Sequence, residues 1–206
     1  MTLKIFEEEL KSECKRLYAT LISGERQKKL AAKKINSLTD VMFIGKMNPM
    51  KLQRSCIITF GNALEITTSR YAKLMNAKVY KDKRFLSADI DIVFRIRRNV
   101  YNLESKSNIE LDLGKTKKAL ETLKRKHKIV FNGLDCQNES WQVISKFIVW
   151  TKEDSKDAAI IAKKPLEEKH LMGFKDFFKL FNVQVNKQEF FQLLKTVWEE
   201  EIEVHF

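Results

Sequence analysis

The sequence predicts an α/β protein: a central mixed β-sheet flanked by helices, with helical additions at the N- and C-termini. Three observations carry this expectation. Apolar residues recur at three- and four-residue steps in the first and last segments, three short β-branched and aromatic runs follow one another from residue 77, and a basic helical stretch then leads into a further apolar strand.

Taken in order, Leu3, Phe6, Leu10, Cys14, Leu17 and Leu21 mark an amphipathic helix that ends at Ser23-Gly24. A second, strongly basic helix is expected from Glu25 to about Leu38. Gly45 and Pro49 in "GKMNPMKLQRS" predict a loop. The next helix is expected from about Gly61 to Asn76, with Ala63, Ile66, Tyr71 and Leu74 available for packing. "AKVYKD", "ADIDIVFRI" and "VYNLESK" read as three successive strands. "LDLGKTKKALETLKRKHK" reads as a basic helix with Leu113, Leu120 and Leu123 inward, and "SKFIVWT" as a buried strand. "GFKDFFKLF" and about Lys187 to Ile202 return to helix, the latter opened by Asn186 with Glu189 three residues on, like a capping box.

A chain of 206 residues with two prolines and six glycines leaves little room for linkers, so one domain is expected. Within it, 1–58 form an N-terminal helical extension, 59–152 the α/β core and 153–206 a C-terminal helical region. At 44% hydrophobic residues the chain has ample material for a buried core, and overall disorder is not expected. No apolar run approaches the ~20 residues of a membrane span. The charged start "MTLKIFEEELKSECKR" does not read as a secretory signal. Cys14, Cys56 and Cys136 lack zinc or disulfide spacing. A soluble, reducing, cytoplasmic setting is expected. Lys and Arg number 39 against 27 Asp and Glu, a net charge of +12, which points to a polyanionic partner such as nucleic acid.

The chemistry concentrates in "DIDIVFRIRRNVYNLESK", residues 89 to 106. Strand side chains alternate faces. With a two-residue turn at Arg98-Asn99, Ile92, Phe94, Ile96, Tyr101 and Leu103 share one face, and Asp91, Glu104 and Lys106 the other. Asp91 is then expected opposite Lys106 and diagonal to Glu104, and any turn of even length keeps the grouping. Two carboxylates so placed repel unless a cation lies between them. A divalent hard cation such as Mg²⁺, which takes one or two carboxylates plus substrate phosphate, resolves the conflict. The lysine could orient an attacking water or stabilise charge on a phosphate oxygen. The plainer reading is an exposed sheet face with Lys106 in a cross-strand ion pair.

"DIDIVF" followed by "YNLESK" resembles the signature of the PD-(D/E)xK nuclease superfamily, in which a strand aspartate precedes E-x-K on the next strand. The resemblance covers about residues 60 to 150 and implies a restriction-endonuclease-like core. It implies that Asp91 and Glu104 are metal ligands, with the main-chain carbonyl of Ser105 as a further one, and that Lys106 is the catalytic lysine. Glu65, in "GNALE", resembles the family's acidic residue on the preceding helix. Ile90 stands where the family's proline would be, and Asp89 shares a face with Asp91 and remains an alternative ligand. Glu110 and Asp112 are alternatives of another kind, read as solvated helix-start acids.

The implied activity is Mg²⁺-dependent hydrolysis of double-stranded DNA, with Mn²⁺ able to substitute and no nucleotide cofactor. By analogy with type II restriction enzymes, a homodimer acting on a two-fold site is expected. Lys115, Lys117, Lys118, Arg95 and Arg97 are candidate phosphate contacts, and Asn132, Gln137 and Asn138 candidate base contacts. The rivals are a junction-resolving or repair nuclease of the same superfamily, and a non-catalytic basic nucleic-acid-binding protein.

Overall fold

The computed structural model describes residues 2–22, 49–80, 90–106, 113–162 and 164–201. The basic helix expected over 25–38 lies outside them, as do Asp89, Glu110 and Asp112. The first amphipathic stripe forms α1 (Thr2–Ile22), with Phe6, Leu10 and Cys14 fully buried and Tyr18 joining them. The next helix, α2, spans Pro49–Leu74 and so begins twelve residues before Gly61, where a loop was expected. Pro49 opens this helix instead of breaking the chain, because a first-turn residue needs no N–H partner and proline's φ is already helical. Gly61 rides on the helix surface, with nothing within 4 Å of where a Cβ would stand. Its inward residues are Ala63, Leu64, Thr67, Thr68, Tyr71 and Ala72, whereas Ile66 is half-buried and Leu74 is 54% exposed.

The strands are β1 (Lys78–Val79), β2 (Ile92–Ile96), β3 (Asn99–Lys106), β4 (Gln142–Val149) and β5 (Leu171–Gly173). They form one mixed sheet in the order β1-β2-β3-β4-β5, antiparallel through β3 and parallel from β3 to β5. The basic helix α3 (Leu113–Gly133) makes the crossover from β3 to β4, which a parallel pair requires. After β4 come α4 (Ser155–Ile161), a 3₁₀ turn at Glu168–His170, β5, α5 (Phe174–Lys179) and α6 (Lys187–Glu201). Thus the segment read as purely helical supplies the fifth strand. A Cβ at Gly173 would stand 2.4 Å from the Asp154 nitrogen, so β5 can run this close to the α4 entrance only with glycine there. Asn186 opens α6 as expected, its side chain accepting from Gln188 N at 2.8 Å. Among the described residues no helix is long and apolar enough to cross a membrane.

The two sheet faces are packed differently. One carries Phe94, Tyr101, Leu103, Ile148 and Met172 into a single large core with α1, α2, α5 and α6. Its centre is aromatic: Phe178 is fully buried against Phe6, Tyr71, Phe177 and Phe190, with ring centroids 5.2–5.8 Å apart. The other face lies under α3 and holds two separate apolar clusters. Val93, Val100, Val130 and Val143 form one, and Leu120, Leu123, Phe147, Val149 and Leu171 the other.

Candidate functional site

Between those two clusters runs a polar seam, and each element under α3 contributes to it. On β3 it is Asn102 and Glu104, on β4 Ser145, and on α3 Lys126 and His127. Asn102 Nδ2 donates to Ser145 Oγ at 3.0 Å, and Ser145 Oγ lies 3.1 Å from His127 Nδ1. A polar group buried in such a seam is tolerable only when paired.

The hairpin that leads into the seam closes at Arg97-Arg98, with Ile96 facing Asn99 and Phe94 facing Tyr101. The expected turn at Arg98-Asn99 is therefore displaced, and the register moves by two. An even displacement leaves every side chain on its expected face. What changes is the partner. Continuing the ladder past Ile92↔Leu103 sets Asp91 opposite Glu104, not opposite Lys106, which becomes the diagonal neighbour. The stacking of Phe94 on Tyr101, 5.2 Å between centroids, fits the observed register.

Two like charges directly opposite destabilise a hairpin, and here two lysines offset them. Lys106 Nζ donates to Glu104 Oε1 at 2.7 Å. Lys126 Nζ, on a side chain only 4% exposed, donates to Glu104 Oε2 at 2.6 Å and stands 4.0 Å from Asp91 Oδ1. Burial would raise the Glu104 carboxyl, but hydrogen bonds from Lys106 and Lys126 outweigh it and hold the group below its usual range. Asp91 shifts the opposite way, raised by burial against the attraction of Lys126 and with Glu104 adding to the rise. The Ser105 main chain also hydrogen-bonds Asp91. Glu65 reaches the same field from α2, which packs on β2 and β3. Burial first, then repulsion from Asp91, pushes its carboxyl up to about 7.

Asp91, Glu104, Lys106 and Glu65 are thus brought into one electrostatic unit. Ser105 lies between two of them on β3, with its Oγ accepting from Trp150 Nε1 at 3.3 Å. The remaining candidates fall elsewhere. Lys115, Lys117 and Lys118 are exposed near the start of α3. Arg95 stacks over Trp141 at 4.1 Å, Arg97 is in the hairpin turn, and Asn132, Gln137 and Asn138 are exposed where α3 leads into β4. Asn138 is spent on Asp135, 2.9 Å away. Since Gln142 N donates to Arg98 O, this group sits at the hairpin end of the sheet. Glu104 is five residues along β3 from Asn99, or about 17 Å at strand rise.

The residue that sequence reasoning missed is Lys126. It was legible in one respect: Leu120, Leu123, Lys126 and Val130 recur at three- and four-residue steps, so a lysine occupies the inward stripe of α3. Among the described residues no group of three or more His, Cys, Asp or Glu side chains is gathered to hold a metal. Asp91 and Glu104 nevertheless share one cation, the Lys126 ammonium, within reach of an oxygen from each. Two carboxylate oxygens about a common cation fit Mg²⁺, which commonly draws its other ligands from water and substrate phosphate. Comparison of the sequence with protein-family models and with curated proteins finds no match in either.

Proposed function

We propose that the chain is a Mg²⁺-dependent endonuclease hydrolysing phosphodiester bonds of double-stranded DNA, similar to the type II restriction enzymes of the PD-(D/E)xK superfamily. One observation carries the reading: Glu104 and Lys106 on β3 and Asp91, the residue just before β2, meet at one end of the sheet, with Glu65 coupled to them from α2. The order helix, three strands, helix, strand from Pro49 to Val149 agrees with that superfamily's core. A net charge of +12 suits a polyanionic substrate.

In this reading Asp91 and Glu104, with the Ser105 carbonyl, would hold Mg²⁺, and Mn²⁺ could take its place. When bound there, such an ion would supply Lewis acidity for activating water and offsetting phosphate charge. Lys106, at 33% exposure the more open of the two lysines, orients the attacking water and stabilises negative charge on the phosphate. Glu65, its carboxyl raised to about 7 by burial and by Asp91, exchanges its proton near neutral pH at the rim of the centre. A homodimer would present one such centre to each strand.

Incubation with plasmid DNA and Mg²⁺ tests this. Wild-type protein is expected to cut, and Glu104→Ala and Lys106→Ala to lose about 10²- to 10³-fold or more in rate. Absence of cutting by the wild type, or undiminished cutting by both variants, ends the proposal. Discrete fragments indicate sequence recognition, and a preference for branched DNA indicates the junction-resolving alternative. A second reading is favoured by both Glu104 oxygens being taken by lysines: a non-catalytic nucleic-acid-binding protein with a structural ion-pair network. It requires salt-dependent DNA binding without turnover.

A further inference from the structure

The position of Lys126 bears on how the metal site fills, and the inference rests on the metal-dependent reading above. Lys126 Nζ lies 2.6 Å from Glu104 Oε2 and 4.0 Å from Asp91 Oδ1, so it occupies the place between the two carboxylates where a shared cation belongs. Lys106 Nζ, 2.7 Å from Glu104 Oε1, completes the set. Two carboxylates and two ammonium groups sum to zero, so this quartet is balanced as it stands.

A divalent ion joining Asp91 and Glu104 would approach each oxygen to about 2.0–2.1 Å. An ammonium hydrogen-bonded to the same oxygen cannot remain beside it, since the two cations would stand within a few ångströms in a poorly solvated seam. We infer that Lys126 is a built-in competitor of the metal: its ammonium holds the cation place between Asp91 and Glu104 and withdraws when a divalent ion binds.

The fold permits this exchange. Leu120, Leu123 and Val130 anchor α3 in the two apolar clusters on either side, so the helix can stay seated while the flexible four-carbon stem of Lys126 swings. The same lysine offsets the repulsion between the opposed carboxylates whenever no divalent ion lies between them. Its presence lowers metal affinity, so the site fills only once the divalent ion is concentrated enough to outcompete it.

Mn²⁺ titration of the full chain, followed by calorimetry, tests the inference on wild type, Lys126→Met and Glu104→Gln. Lys126→Met is expected to bind Mn²⁺ about tenfold more tightly than wild type, one competing charge having been removed, and Glu104→Gln to lose the site. Equal or weaker binding by Lys126→Met, with Glu104→Gln still deficient, overturns the inference and leaves the metal site standing. Equal binding by wild type and Glu104→Gln overturns the metal site, and the inference with it. A second measurement needs only wild-type protein: acylation of Lys126 by an amine-reactive reagent, read by peptide mass spectrometry. Saturating Mn²⁺ is expected to speed labelling severalfold, whereas unchanged or slower labelling under metal saturation overturns the inference.

Discussion

The two faces of the sheet solve the same packing problem in opposite ways. Beneath α1, α2, α5 and α6 one apolar core is continuous, and most of its energy scales with buried area, the Cys56–Tyr18 hydrogen bond being a local exception. Beneath α3 the apolar contacts divide into two clusters, and between them every buried polar side chain of the seam is matched to another. Burying two carboxylates and a lysine costs stability that an all-apolar seam would not. The aromatic face therefore holds the fold together, while the split face spends part of that stability on burying a cluster of charges.

Breaking the aromatic face should have the largest effect on stability. Phe178→Ala removes a fully buried ring that touches four other aromatic side chains, and is expected to cost about 3–5 kcal/mol. Urea unfolding measures it, and the proposed cleavage, counted per folded molecule, should be unchanged. A loss below ~1 kcal/mol would show that the core repacks freely, and the contrast between the faces would weaken.

Glu65 offers a smaller and pH-dependent test, because it belongs to α2 yet feels the charges of the seam. Its carboxyl is raised from 4.5 to about 7, so the folded state favours the protonated form. The associated stability is complete below pH ~4.5 and is lost as pH rises through about 7. Glu65→Gln cannot ionise. It should therefore gain steadily on wild type between pH 5 and 8, by up to about 3 kcal/mol, as measured by urea melts at each pH. A difference that stays flat across this range would mean that neither burial nor the seam raises this carboxyl.

The same contrast explains what could be read from the sequence. Face assignments in the hairpin survived a misplaced turn because parity depends on alternation alone, whereas the choice of Arg97-Arg98 over Arg98-Asn99 depends on which cross-strand pairs pack best. Asp91, Glu104 and Lys106 were therefore grouped correctly, but with the wrong partner opposite Asp91. The start of α2 was hidden by Pro49, a residue that breaks a helix in its interior and suits its first turn. β5 was invisible because three residues carry no periodicity, and only its pairing with Phe147, Ile148 and Val149 defines it as a strand. Lys126 was overlooked for a different reason. In a helix with so many lysines, one that turns inward stands out only by its place among Leu120, Leu123 and Val130.

The smallest effect is expected at the far end of the sheet. Of the two turn residues only Arg97 has positive φ, 55°, the position where a type II′ hairpin turn prefers glycine. A side chain in that region costs roughly 1–2 kcal/mol, of which glycine's extra freedom in the unfolded chain offsets a part. Arg97→Gly should therefore raise stability by about 0.5–1 kcal/mol in a urea melt. Because the turn is remote from Glu104, the proposed DNA cleavage should keep its rate at saturating substrate. A raised KM at constant kcat would instead mean that Arg97 touches the DNA backbone, so that substrate spans the sheet from the seam to the hairpin. The far end would then belong to the functional surface and not only to the scaffold.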